Sequence, residues 1–257
     1  IGAGSFAMRT ILPLLRKEHV QCKIIASRAG ADAAVAARQF GFQFATSDVS
    51  SVMEDPDVDP VFVLTPHGAH AHLLCEALRA DKSVFVEKPL AINQDQLFKV
   101  RDVYEEAARR RGQVPLLHVG FNRRFARLAV KAKGLLDSEV GPKALVMTVN
   151  AGAIERTHWV HDPDVGGGRI VGEACHFVDL ARFLLGTSIV GAKVERTRGG
   201  QEDSTCIALS LADGSMVSIH YLTSGDRSYP KERVEAFTGG KVLVLDNFRS
   251  LRGYGWG

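Results

Sequence analysis

The sequence predicts two α/β domains in tandem. Residues 1–120 read as a doubly wound parallel sheet, and residues 121–257 as an α+β domain with a predominantly antiparallel, open-faced sheet. Three observations predict it. Short apolar runs alternate with helix-like stretches as far as about Gly120, the rhythm of right-handed βαβ units. A glycine-rich turn, Gly2-Ala3-Gly4-Ser5-Phe6-Ala7, opens that alternation. From about Pro142 the habit changes, and β-rich runs flank Asp213-Gly214 and Gly239-Gly240, dipeptides of tight hairpins.

Each element has its local reason. The opening turn follows a single strand residue, Ile1. It starts a helix whose Phe6, Ile11, Leu14 and Leu15 share a stripe and which Pro13 kinks or shortens. A strand at 22–26 precedes an alanine-rich helix at 31–40 closed by Gly41. A strand at 42–45 leads to a brief helix ending at Glu54, with Ser47 or Asp48 as cap. Residues 61–64 are apolar on both faces, as buried parallel strands are. A helix at 69–80, a strand at 83–86, a long polar-faced helix at 93–111 and a strand at 114–119 complete the first domain. The second opens with a strand at 143–150 and a loop rich in Gly, His and Asp to Gly168. An apolar helix at 170–185 stops at Gly186, and hairpin strands follow at 205–211, 216–222, 233–238 and 241–245.

Composition excludes several classes. The 257 residues carry 32 Lys and Arg against 29 Asp and Glu, a net charge of +3. That balance fits neither a strongly basic nucleic-acid binder nor an acidic tail protein. At 46% hydrophobic and 24% charged, the chain reads as an ordinary globule. No apolar run approaches the ~18 residues of a membrane span. Cys22, Cys75, Cys175 and Cys206 are scattered without a C-x-x-C pair, which suits reduced thiols in the cytoplasm.

The opening turn carries chemistry. Gly2 permits the tight turn, Gly4 lets backbone approach a pyrophosphate, and Ala7 keeps helix and strand close. The helix N-terminus then presents free N–H groups to phosphate. Ser27-Arg28, 23 residues after Gly4, stands where an acidic residue would hold ribose hydroxyls. A hydroxyl and a guanidinium favour a 2′-phosphate, and so NADP over NAD; the alternative is an Arg28 that stacks on adenine or faces water. Glu87-Lys88-Pro89 ends a buried strand at the ligand-binding edge of the sheet. Lys88 there either hydrogen-bonds a reacting oxygen or pairs with Glu87.

Glu173, His176 and Asp179 lie on the apolar helix, with the first two sharing a face. His176 reads as a general acid/base or as a satisfied core histidine. A single Glu-x-x-His copy gives little support to a di-metal site. His67, His70 and His72 invite zinc, but abut the dinucleotide position, where a helix cap or cofactor contact fits better. Arg109-Arg110-Arg111 compensates a helix dipole. In Phe121-Asn122-Arg123-Arg124-Phe125 the arginines face a substrate anion or solvent, and His158, Trp159 and His161 line a polar cleft or pack.

Taken together, these motifs resemble the glucose-fructose oxidoreductase / inositol dehydrogenase (Gfo/Idh/MocA) family over essentially the whole chain. The carriers are Gly2-x-Gly4-x-x-Ala7, Thr65-Pro66 with His70, Glu87-Lys88-Pro89, the 120–125 stretch, and Gly166-Gly167-Gly168 ahead of His176-x-x-Asp179. The later part, from Asn150-Ala151-Gly152 through His158-Trp159-Val160-His161-Asp162-Pro163 to His176, is similar to a subgroup often fused behind a zinc-type alcohol dehydrogenase domain.

The resemblance implies a Rossmann domain and an NAD(P)-dependent oxidoreductase acting on CH–OH groups of a sugar, cyclitol or nucleotide-linked sugar. It implies Lys88 as the group on the reacting oxygen and His176 as general acid/base. Motif and resemblance together assign dinucleotide contacts to Gly2, Gly4, Ser5, Phe6, Ser27, Arg28, Thr65, Pro66, His70, Glu87, Lys88 and Asn122. Substrate contacts fall to Lys88, Arg123, Trp159, Glu173 and His176, with no metal. The family's aspartate four residues before the histidine is here Gly172. Glu173 comes one step on, and that step turns a helical side chain by about 100°. The departure supports one alternative, a non-catalytic dinucleotide-binding sensor or partner module; the resemblance leaves a second, a non-redox glycosidase or lyase with retained NAD. The resemblance also implies a homo-oligomer paired through the open face of the second-domain sheet, which the alternation of Ile207, Leu209 and Leu211 suits. A chain that starts at Ile1-Gly2 has a truncated first strand, and its tail at 253–257 stops where relatives continue. The expectation is a piece of a longer polypeptide, with room for a fused domain upstream.

Overall fold

A computed structural model describes residues 1–197 and 204–256; the last residue of the tail, Gly257, lies outside them. The chain forms two compact units. One comprises Ile1–Gly120 with Trp159–Gly168, the other Phe121–His158 with Arg169–Gly257. Among the described residues no helix is long and apolar enough to cross a membrane.

In the first unit, strands β1 (Ile24–Ala26) and β2 (Phe44–Thr46) pair in parallel. Strands β3 (Val61–Val63), β4 (Val84–Val86) and β5 (Leu117–Val119) form a second parallel ladder. Ile1 stands between the two. Its amino group donates to Phe62 O at 2.6 Å, and its carbonyl accepts from the Leu64 N–H at 2.8 Å. The next residue, Gly2, donates to Ala26 O at 2.8 Å. Ile1 and Gly2 together thus supply the hydrogen bonds of a central strand position.

Helix α1 (Leu12–Lys17) is preceded by a π-helical turn at Ala7–Ile11. Pro13 offers no N–H, and the wide turn stands just ahead of it, where such irregularities relieve strain. Helix α2 (Gly30–Phe40) and the short α3 (Ser50–Glu54) follow. Helices α4 (His70–Arg79) and α5 (Gln94–Arg111) cover one face of β3–β5. The buried members are Leu74, Leu78, Val100 and Val103 against Val61, Val63, Val84 and Val86. Asn93 caps α5 by accepting from the Gln96 N–H at 2.9 Å.

The second unit is a seven-stranded sheet under two helices. Its strands are β6 (Ala144–Asn150), β7 (Ile189–Arg196), β8 (Thr205–Leu211), β9 (Met216–Leu222), β10 (Glu232–Thr238), β11 (Lys241–Asp246) and β12 (Ser250–Tyr254). The order is β12-β11-β10-β6-β9-β8-β7; among the described residues of this sheet only β6 and β9 pair in parallel. Helices α6 (Arg127–Asp137) and α7 (Cys175–Leu185) cover one face, with Phe177, Leu180 and Leu184 fully buried over Met147, Leu209 and Ile219. A large buried aliphatic or aromatic side chain of this kind contributes about 2 kcal/mol.

Three expectations change. Ile207, Leu209 and Leu211 do not lie on the open face: α7 claims them for the core. The uncovered face carries Ala208, Ser210, Met216 and Phe237 instead, all exposed. The apolar helix at 170–185 begins as a π-helical turn, Ile170–Ala174, before α7. Residues 159–168, expected within the second domain, pack on the first unit. Gly68 N–H donates to Val165 O at 2.8 Å, and the His67 ring meets Gly166 O at 2.9 Å.

Candidate active site

In the first unit the predicted cofactor residues gather at the carboxyl ends of the parallel strands. Gly2 adopts φ +100°, and a Cβ there would stand 2.6 Å from Leu64 O; the turn needs glycine to pass that close to β3. Gly4 is different: a Cβ there would meet nothing within 4 Å. Gly4, Ser5 and Phe6 are exposed, while Ala7 is fully buried. Ser27 follows β1 with its N–H on Thr46 O at 3.1 Å, and Arg28 beside it is exposed. Thr65 and Pro66 follow β3. Thr65 Oγ1 is buried and has no hydrogen-bond partner among the described residues.

Glu87, Lys88 and Pro89 follow β4. The Glu87 carboxylate accepts the Lys88 backbone N–H at 3.1 Å. Burial raises the Glu87 pKa, against the opposing pull of that bond and of the Lys88 charge. The Lys88–Pro89 peptide is cis. An open glycine at a helix N-terminus, an orphaned hydroxyl and a strand-end lysine fit a dinucleotide, whose phosphates would sit at Gly2–Phe6 and whose nicotinamide half would reach Thr65 and Lys88.

His70 requires a correction. It is 0% exposed, with Nδ1 2.8 Å from Pro89 O and Nε2 2.8 Å from Thr65 O. The neutral imidazole has one N–H, so it donates to one of these carbonyls and only packs against the other; fully buried between the two strand ends, it ties them together rather than meeting a ligand. Burial lowers its pKa, outweighing the pull of the neighbouring carbonyls. His72 is exposed and 3.2 Å from Glu76. His67, which the sequence marked only as part of a cluster, is buried on the 159–168 loop, its ring edge-on to Trp159 at 4.8 Å between centroids. Among the described residues no three His, Cys, Asp or Glu side chains gather as a metal site.

In the second unit, His176 lies on α7, 5% exposed, with Phe121 edge-on at 6.1 Å. Asn122 is exposed, on a short 3-10 turn Asn122–Phe125. Arg123, expected at the substrate, instead grips Glu232 with Nε to Oε2 at 3.0 Å and Nη2 to Oε1 at 2.5 Å, its guanidinium 4.8 Å over Phe177. Glu232 is buried and needs the cation. Arg124 holds Asp179 in the same two-toothed way.

Glu173, also expected at the substrate, accepts the Tyr221 hydroxyl and the Lys231 ammonium at 2.8 Å, with Arg169 at 3.6 Å. Burial pushes its pKa up, but Lys231 and Tyr221 win and hold it below the ordinary range. The same burial and carboxylate drive the Tyr221 hydroxyl well above its usual value. The carboxylate anchors the π-turn to the sheet.

Residues 1–117 match the model of an oxidoreductase family with an NAD-binding Rossmann fold, and residues 142–239 match the Gfo/Idh/MocA C-terminal domain. The chain belongs to the Gfo/Idh/MocA family. An uncharacterized oxidoreductase of Bacillus subtilis, YrbE, is 28% identical over 97% of this Gfo/Idh/MocA chain and 73% of its own length. A myo-inositol 2-dehydrogenase of Thermotoga maritima is 28% identical over 82% of the chain, which spans 63% of that enzyme. A levoglucosan dehydrogenase solved with NADH superposes with a TM-score of 0.83 at 21% identity, covering 98% of this chain and 74% of its own. That last likeness is one of fold.

Proposed function

We propose that this member of the family moves a hydride between NAD(P) and a secondary alcohol or ketone of a sugar, cyclitol or nucleotide-linked sugar. One observation carries the reading: the open Gly4 turn, the orphaned Thr65 hydroxyl and Lys88 share the carboxyl edge of adjoining parallel strands. The xylose, inositol and levoglucosan dehydrogenases among its relatives support the substrate class.

A bound nicotinamide supplies the hydride acceptor or donor. The chain supplies the rest. His176 takes the hydroxyl proton as the C–H bond breaks and returns it in the reverse direction. The Lys88 ammonium steadies the negative charge that develops on that oxygen. Arg28, exposed after β1, supports preference for the 2′-phosphate of NADP. Four unbridged cysteines support a cytoplasmic setting, and the uncovered sheet face supports a homo-oligomer.

The test is turnover against a panel of polyols and cyclic sugars with dinucleotide binding measured in parallel. Lys88→Ala and His176→Ala each lower kcat by about a hundredfold or more while dinucleotide still binds. Near-wild-type turnover in both variants defeats the reading. Gly172 and the committed Glu173 carboxylate favour one second reading, a dinucleotide-binding sensor. Tight dinucleotide binding with no reduction by any panel member selects it.

A further inference from the structure

The segment 159–168 is a rigid strap. The Asp162 carbonyl accepts from the Gly166 and Gly167 N–H groups, and its carboxylate from those of Asp164 and Val165. The strap lies flush on the turn after β3, where a Cβ on Gly68 would collide with the Asp164 carbonyl. One side chain fixes its seat. His67 is 9% exposed, and its Nδ1 must donate, because its partner at 2.9 Å is the Gly166 carbonyl. The same imidazole meets the Trp159 indole edge-on, at an interplanar angle of 76°. Trp159 nevertheless keeps 43% of its surface exposed. It is thus an exposed aromatic ring held against His67, which follows Thr65 by two residues in the turn after β3.

We propose that His67 is a positioning residue that fixes Trp159 as a stacking platform for the ring of a sugar or cyclitol. The inference rests on the function proposed above and adds a substrate contact to it. The C–H face of such a ring is apolar while its rim carries hydroxyls, so a rigid indole binds the face with little entropy left to lose. The burial that keeps His67 neutral, with a pKa near 4, suits a donor that also packs against an indole.

The experiment uses the whole chain in a Trp256→Phe background, because Trp256 is the second of the two tryptophans. Trp159 emission is titrated with myo-inositol, D-xylose and levoglucosan in the presence of oxidised dinucleotide. At least one shifts the emission saturably. His67→Leu weakens that sugar by about three- to tenfold, as does Trp159→Ala. His67→Asn, which carries an N–H close to the Nδ1 position, restores it. The His67→Leu/Trp159→Ala pair is no worse than Trp159→Ala alone, and dinucleotide affinity stays within twofold throughout. Additive effects, an unchanged sugar affinity in His67→Leu, or emission silent to every sugar overturns the proposal. A sugar that binds at Trp159 and is never oxidised sinks the oxidoreductase reading instead and leaves this one standing.

Discussion

Arg124 closes both ends of its guanidinium on the carboxylate of Asp179. The bond ties the turn that opens the second unit to the helix that carries His176. Asp179 is 8% exposed and Arg124 35%, so removing the arginine leaves a nearly buried carboxylate without its cation. Arg124→Ala therefore lowers unfolding free energy by about 2 kcal/mol, read by urea denaturation. A midpoint unchanged from wild type contradicts that.

Gly2 and Gly4 separate structure from ligand binding. Gly2→Ala forces a Cβ onto the Leu64 carbonyl at a positive φ, and costs about 3 kcal/mol or more of stability. Gly4→Ala meets open space, so its melting temperature stays near wild type while dinucleotide affinity falls. Thermal unfolding with and without NAD+ distinguishes the two variants. Equal loss of stability in both excludes this division of labour.

His67 gives the fold an acid limb. Its folded pKa lies near 4, against an ordinary 6.5, chiefly through burial. Below the ordinary value the unfolded chain takes a proton that the folded one refuses. Stability is complete above about pH 6.5 and falls by about 2–3 kcal/mol as pH drops toward 4. His67→Asn flattens that limb in a pH series of denaturation midpoints. A limb of the same height in the variant assigns it to other groups.

Arg28 reports cofactor choice. Arg28→Asp replaces an exposed cation after β1 with a carboxylate suited to ribose hydroxyls. It lowers kcat/KM with NADP relative to NAD by about tenfold or more. A ratio that does not move removes Arg28 from the dinucleotide site.

Most of the architecture was legible from local pattern. The opening turn, the strand–helix alternation and the Asp213-Gly214 and Gly239-Gly240 hairpins are short-range signals, and all appear as read. Helix α6 and strands β7 and β12 went unread because they lack turn dipeptides and clean alternation. In the candidate site the sequence marked chemistry-bearing residue types but not their partners. Arg123 looked available because Glu232 is 109 residues away; Glu173 looked available because Tyr221 and Lys231 are 48 and 58 residues away. The seating of the 159–168 strap on His67 and Gly68 is equally a long-range contact, with no periodicity to announce it.

The place of β6 in the second sheet sets the order in which that sheet is built. Its two neighbours are β9 and β10, at 216–222 and 232–238, while β6 itself ends at Asn150. During synthesis an apolar strand leaves the ribosome roughly seventy residues before either edge finds its mate. Until then it is a two-sided sticky ribbon, the kind of segment that recruits other nascent chains. Such distant pairing slows folding. The same middle position that makes β6 the keel of the finished sheet makes it the most exposed liability of the unfinished one.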